Sequence, residues 1–382
     1  MKTLLSHVRV LDLTRFYPGA FCTQLLADLG ADVLKIEAPR FGDGMRITFG
    51  GGSVAPGHVA LNRGKRSLTL DLKKPGAAAV LRRLAKDVDV IVEAQRPGAL
   101  DQMGVGFEAL RKDNPRLVWC TLTSFGQDGP LADAAGHDLT FLGYSGLLSR
   151  LAGSGPLPVP DTTVAVPLAG ALGAVGILAA LAARDRTGEG SRVDTCMAEA
   201  ALWLVGEDVT RSAVAPGKGW GSMAARQHYR CADDRWVTVA ATEPKPWGAL
   251  CTALGVPDLA AHRHGVDEPA TIARLATAFA TQPAAHWVQT PGLAGGVAPV
   301  NEPGDLLNDP HQAARHGIVE LHGNGATAPV VANPIRVDGA DGKASSAGLR
   351  WPPDLGADTD AALAAAGFSA DEIAALHADG VV

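Results

Sequence analysis

Val8-Arg9-Val10-Leu11-Asp12-Leu13 is a short, mostly apolar run. Pro18-Gly19 breaks the chain after it, and Phe21, Leu25, Leu26 and Leu29 then recur at helical spacing up to Gly30. Asp32-Val33-Leu34-Lys35-Ile36-Glu37 is a second apolar run. Strand, helix and strand with short connections make a β-α-β unit, whose strands pair in parallel through a right-handed crossover. The pattern repeats downstream. Ser67–Leu72 reads as a strand, Pro75-Gly76-Ala77 opens a helix through Leu81, Leu84 and Val88, and Asp89–Glu93 and Leu117–Leu122 read as further strands. Strands apolar on both faces belong in a parallel sheet covered by helices on each side. The fold class expected is therefore α/β.

The chain has 382 residues, 47% of them hydrophobic, which is more than one hydrophobic core normally holds and predicts a second domain. Helices are expected over Leu139–Leu148 and from Leu168 to Ala213. Val164–Ala183 is read as a buried helix preceded by a loop, ending on Arg184, Arg186 and a Gly188 stop. Ala215–Ser222 is Gly-rich and reads as a linker. Trp236–Ala240 reads as a strand of the second domain, and Ser369–His377 as a capped surface helix. The formal net charge of −6, without a long basic run, argues against a nucleic-acid partner. The N-terminus lacks a secretory layout and no uninterrupted apolar run looks like a membrane span, so a cytoplasmic protein without a membrane partner is expected. Cys22, Cys120, Cys196, Cys231 and Cys251 have no metal-ligand spacing and read as free buried thiols; no metal site is expected.

Several signatures are missing. No G-x-G-x-x-G follows the first strand, and there is no phosphate loop, G-x-S-x-G elbow or H-E-x-x-H, which sets aside dinucleotide, nucleotide-triphosphatase, classical hydrolase and zinc-protease readings. What remains is Ala135-Gly136-His137-Asp138-Leu139, after the loop Ser124–Pro130. An imidazole takes a proton near neutral pH and a neighbouring carboxylate can tune it. Equally, Asp138 could cap the following helix and His137 could be an ordinary loop histidine. Arg96 sits just past a strand end, where ligands of open α/β sheets gather and where a guanidinium can hold a phosphate; Lys65 and Arg66 precede a strand and are weaker candidates for the same task. Glu243 follows the Trp236–Ala241 run and reads either as a cleft carboxylate or as a loop residue.

Taken in order, these segments resemble the family III CoA-transferase (CaiB/BaiF) superfamily, and within it the α-methylacyl-CoA racemases. The resemblance rests on Val10-Leu11-Asp12-Leu13…Pro18-Gly19, Leu26–Val33, Gly64-Lys65-Arg66-Ser67-Leu68, Arg96-Pro97-Gly98, Asn114–Leu117, Gly126–Pro130, Gly136-His137-Asp138, Gly176–Leu181, Thr187–Gly190 and Glu243-Pro244, colinear over most of the chain. It implies an open parallel Rossmann-like sheet with a smaller α+β domain: a large domain from residues 1–200, a small domain with its linkers from 201–325, and a C-terminal tail, 326–382, returning to the large domain. It further implies an interlocked homodimer with its active site between the large domain of one chain and the small domain of the other.

The substrate implied is an acyl-CoA thioester, with coenzyme A as part of the substrate and no covalently bound cofactor. The implied catalytic residues are His137 as base, Asp138 beside it and Glu243 as the imidazole's partner. The implied coenzyme A contacts are Arg40, Leu70, Lys73, Ala94, Gln95, Arg96, Gly136 and Phe141. Racemisation needs a base on one face of the α-carbon and a proton donor on the other. The family's second group is an Asp, which is also the nucleophile of the transferases; counting from Gly176-Ile177 or from Pro156 puts Ala165 there. Asp161, four residues earlier, is the only nearby carboxylate and, if a shifted loop presents it, the candidate for the opposite proton donor, with water as the alternative. Three further departures are Ala38 for the family's Arg (with Arg40 two residues on), Phe141 for its Tyr, and Gln102 for a basic residue. The readings are a racemase-like enzyme, a one-base isomerase or lyase on the same scaffold, a family III CoA-transferase, and a non-catalytic acyl-CoA-binding homologue.

Overall fold

A computed structural model of the chain describes residues 4–47, 54–153, 155–217, 221–261, 267–337 and 349–382. It divides into two compact units. One comprises Met1–Arg150, Pro158–Glu207 and Pro310–Val382, the other Leu151–Leu157 and Asp208–Asp309. Part of the Ala215–Ser222 linker, residues 218–220, lies outside the described residues.

The first unit is built on six parallel strands: β1 (Arg9–Leu13), β2 (Asp32–Glu37), β3 (Arg66–Thr69), β4 (Val90–Glu93), β5 (Val118–Thr123) and β6 (Arg192–Cys196), ordered β3-β2-β1-β4-β5-β6. The α/β fold read from the sequence is the one found. Alternation along the strands separates two cores. Leu11, Leu13, Leu34, Ile36 and Ile91 face the Ala77–Ala85 helix and Leu363. Val10, Val33, Val90, Val118 and Cys120 face the first helix, Tyr17–Asp28, and the long helix Ala165–Thr187. The order reverses between β1 and β4, and the crevice at the carboxyl ends of those strands is where such sheets take ligands.

Four local expectations are corrected. β6 lay hidden in a stretch read as helical; its alternation of polar residues offers only Val193 and the terminal Cys196 to the core. The strand expected over Ser67–Leu72 is Arg66–Thr69. The helix expected over Leu139–Leu148 is two, Asp138–Tyr144 and Leu147–Ala152, because Gly146 takes φ 82° between them. Residues 310–325, expected in the small domain, fall in the first unit: Leu321 of the hairpin Ile318–Gly323/Ala326–Val331 packs with Val59, Val330 and Trp351.

The long helix has the length and hydropathy to cross a membrane, but its buried side packs on the sheet and the first helix. At Gly170 the approach is so close that a Cβ would stand 2.6 Å from the Pro18 carbonyl oxygen and 3.2 Å from the Cys22 nitrogen, so only glycine lets the two helices cross there. The C-terminal segment lies along β3, where Gly64 N–H donates to Arg350 O, Ser67 N–H to the Asp358 carboxylate and Asp71 N–H to Val381 O. All five cysteines are free and buried.

The second unit carries an antiparallel three-stranded sheet, Arg226–Arg230, Trp236–Ala240 and Val297–Pro299. Its core is Tyr229, Val237, Val239, Trp247, Leu250, Leu275, Phe279 and Trp287, packed under the helices Pro244–Ala253, Glu268–Phe279 and Ala284–Gln289.

Candidate active site

Asp12 takes an inward position on β1 and Lys35 one on β2, where the alternation would otherwise place apolar side chains. Both are buried, as are Asp43 and Lys65. Asp12 accepts from the Thr14 N–H (2.9 Å) and hydroxyl (2.5 Å), from the Thr23 hydroxyl (2.6 Å) and from Lys65 Nζ (3.2 Å). Lys35 Nζ lies 3.5 Å from Asp12 and 2.9 Å from Asp43, and donates to the Thr14 carbonyl at 2.9 Å. Asp43 in turn accepts from the Phe16 N–H (3.1 Å) and the Met45 N–H (2.9 Å). Burial disfavours the charge on Asp12, but the two lysines and the hydroxyls outweigh it and hold its pKa far below the carboxylate range. Burial dominates at Lys65 and lowers it to about 8 despite the neighbouring Asp12.

This cluster fixes the turn after β1. Phe16 is held there at φ 61°, a left-handed conformation unusual for a large side chain. Its ring leaves no room for a side chain on residue 44, where a Cβ would stand 2.1 Å from the ring edge, so Gly44 closes the turn. Lys65 is thus a structural cation and not a ligand-facing one: it also donates to Thr23, Asn62 and the Ala20 carbonyl. Arg66 is committed to Asp32 through two hydrogen bonds of 2.8 and 2.7 Å. Neither lysine nor arginine is the phosphate holder the sequence allowed.

The turn lines a cavity of about 260 Å³ at the carboxyl ends of β1, β2, β3 and β4. Thr14, Arg15, Ala38, Leu70, Lys73 and Gln95 are among its walls, so three of the expected coenzyme A contacts, Leu70, Lys73 and Gln95, meet at one cavity. Arg15, which the sequence reading passed over, adds a cation there. The other expected contacts stand elsewhere. Arg40 is exposed at φ 73°. Ala94 packs beside the sheet core. Arg96 lines a smaller neighbouring hollow with Glu93, Gln127 and Arg192. Gly136 and Phe141 form a floor: Phe141 is fully buried, and a Cβ on Gly136 would stand 2.6 Å from its ring.

His137 caps the Asp138–Tyr144 helix through its backbone, with its carbonyl accepting from the Thr140 and Phe141 N–H groups. Its imidazole is exposed and has no hydrogen-bond partner among the described residues. Asp138 does something local pattern does not reveal. Its carboxylate accepts from Val164 N–H at 3.0 Å and Val166 N–H at 2.9 Å, capping the long helix rather than its own. That bond ties His137 to the first turn of the long helix, whose opening residue is the buried Ala165. Asp161 is exposed in the preceding loop. Glu243 is exposed at the N-terminus of the Pro244–Ala253 helix, in the second unit.

One residue at this place was missed. Tyr17, the first residue of the first helix, is half-buried. Its ring stacks on Phe21 at 6.0 Å and 13°, and packs on the cluster that includes Phe141, Ala165, Val166 and Ala169. In the sequence it is only a residue before Pro18-Gly19; nothing local points to the long helix.

A six-stranded parallel sheet with its crevice at the β1/β4 reversal, and a histidine tied to a helix start, belong to the open α/β class of folds, in which ligands are taken at the carboxyl ends of the strands. The pattern of CoA-transferase family III matches residues 5–359, and the chain belongs to that family. It is 32% identical to human alpha-methylacyl-CoA racemase over 99% of this chain and 97% of that one. It is also 32% identical to acetyl-CoA:oxalate CoA-transferase of Acetobacter aceti, over 87% and 88% respectively. A CAIB/BAIF family protein from Brucella suis has the same fold, with a TM-score of 0.81 at 27% identity, covering 96% of this chain and all of that one. The family supports an enzyme that processes acyl-CoA.

Proposed function

We propose that the protein abstracts the α-proton of an acyl-CoA thioester with His137, generating an enolate, in a racemase-like isomerisation. The observation that carries this reading is an exposed imidazole, without a hydrogen-bond partner among the described residues, tied through Asp138 to a helix that opens on an alanine. Acyl transfer through an enzyme anhydride needs a carboxylate nucleophile, and Ala165 has none; deprotonation needs only a positioned base. Asp138, holding Val164 and Val166, is committed to keeping the base and the helix start together. Leu70, Lys73, Gln95 and Arg15 would take the coenzyme A portion in their cavity. The same reading gives Glu243 the role of imidazole partner and the protein a homodimeric state.

The test is to incubate each enantiomer of a 2-methylacyl-CoA in D₂O and follow α-deuterium and configuration separately. Exchange in the wild type that falls by about 100-fold or more in His137→Ala supports the base assignment. A transferase would show no exchange and would form a hydroxylamine-trappable acyl group. Binding of the CoA ester with neither reaction would leave a non-catalytic homologue.

A further inference from the structure

Resting on the reading that the coenzyme A portion occupies the cavity at the strand ends, we propose that Arg46 is a positioning residue for that ligand, acting through Glu37 to make the cavity wall depend on the docked C-terminal segment 350–359. Arg46 is not itself a wall residue, whereas Glu37, Gly42 and Asp43 are. Glu37 ends β2, and its carboxylate is buried. One oxygen accepts from Arg46 Nη2 (2.7 Å) and the Ser67 hydroxyl (2.9 Å), the other from Arg46 Nε (2.7 Å) and the Asp43 N–H (3.0 Å). A planar guanidinium bonded twice to one carboxylate fixes the orientation of both groups.

The two side chains that hold this carboxylate also hold the C-terminal segment. Arg46 Nη1 donates to the Pro353 carbonyl at 3.1 Å, and the Ser67 hydroxyl accepts from the Gly356 N–H at 2.9 Å. The Thr69 N–H donates to the Thr359 hydroxyl at 3.1 Å just beyond. One carboxylate therefore stands between the segment and the wall, joined to each by direct hydrogen bonds. The wall loop passes tightly over the pair: a Cβ on Gly42, at φ 63°, would stand 2.7 Å from Glu37 Oε2 and 2.8 Å from Arg46 Cδ. A shift of either group is felt at the wall.

Burial alone would push the Glu37 pKa up, but the Arg46 hydrogen bonds and charge, with the Asp43 N–H and Lys35, outweigh it and keep the carboxylate ionised. Without Arg46 a buried charge loses its bidentate partner and must turn towards water or take a proton, and the space it borders is the cavity. The Pro353 carbonyl loses its donor in the same event. Coupling of this kind is reciprocal: a ligand that needs the wall in place also tightens the segment.

The experiment titrates coenzyme A itself into the full-length chain by calorimetry and follows amide exchange of residues 350–359 with and without it. In the wild type, coenzyme A should slow that exchange by about threefold or more. Arg46→Met should bind about tenfold or more weakly and lose the slowing, with Arg46→Lys recovering part. Ser67→Ala, which removes the other bridge and spares the ion pair, should weaken binding by about threefold or more. Arg184→Met is the control for lost stability: it removes a buried guanidinium bonded to Asp89 at 2.8 Å, away from the cavity, and should bind within about threefold of wild type. Wild-type affinity in both Arg46→Met and Ser67→Ala overturns the proposal. So does equal weakening by Arg184→Met, or a wild type that binds coenzyme A without protecting 350–359. A wild type that does not bind coenzyme A fails the cavity reading, and the proposal with it.

Discussion

Lys35→Met removes one ammonium and keeps most of the aliphatic stem. Lys35 Nζ lies 2.9 Å from Asp43, 3.5 Å from Asp12 and 2.9 Å from the Thr14 carbonyl. In the variant, Asp43 loses its cation, the Thr14 carbonyl loses a donor, and Asp12 keeps Lys65 alone. Breaking one partner out of a buried ion pair costs about 3–5 kcal/mol, because the remaining charge is left uncompensated. For a large domain about 2–4 °C of melting temperature accompanies each kcal/mol, so the first unit should melt roughly 6–20 °C lower. Calorimetry on the full chain reads this directly. The double variant Lys35→Met/Asp43→Asn should recover part of the loss, since the stranded charge goes with its partner.

The variant should also weaken CoA-ester binding, because the freed turn carries Arg15 to the cavity wall. The pH dependence has a defined sign. Asp12 and Asp43 both have folded pKa values below their ordinary ones, in each case because lysine attraction and hydrogen bonds outweigh burial. Their contribution is therefore present above about pH 4 and lost as the pH falls further. The variant should show a shallower acid slope in that range. A melting temperature within 2 °C of wild type, by calorimetry at neutral pH, would refute the view that this cluster anchors the turn.

Three other outcomes follow from the same structure. His58 is buried, and burial, then the Arg46 charge, lower its pKa to about 4. The unfolded chain takes up a proton at about 6.5 and the folded one does not, so stability present above pH 6.5 is lost as the pH falls towards 4. The wild type should lose up to about 3 kcal/mol more than His58→Gln across that window in urea titrations. Gly170→Ala places a methyl against the Pro18 carbonyl and should cost about 1–3 kcal/mol by thermal melting. Asp138→Ala leaves the Val164 and Val166 N–H groups without their acceptor and should destabilise by about 1–2 kcal/mol, with Asn restoring part; equal melting of Asp138→Ala and wild type would show the cap to be unimportant.

Much of the sheet was legible because strand and helix periods are local. Val10-Leu11-Asp12-Leu13 and Val33-Leu34-Lys35-Ile36 announce buried parallel strands whatever surrounds them. β6 was not legible, since an edge strand with only Val193 and a terminal Cys196 turned to the core has the same composition as an exposed helix turn. The charged residues inside β1 and β2 were visible as letters, but their parity, pointing to the first-helix face, gains meaning only once Lys65 and Asp43 arrive there.

By itself, then, the sequence determined the α/β order of elements, the Gly136-His137-Asp138 loop with its candidate base, and the alanine at 165 where a carboxylate was expected. These are properties of short windows or of ordered motifs. Only the tertiary structure decided that Asp138 caps a helix 26 residues downstream. It also decided that Lys65, 53 residues from Asp12, is buried against it and not offered to a ligand, and that the Tyr17 ring packs on the cluster that holds the start of the long helix. The physical reason is the same in each case. A polar side chain's role is set by the partner that compensates its burial, and that partner is chosen by how distant segments pack.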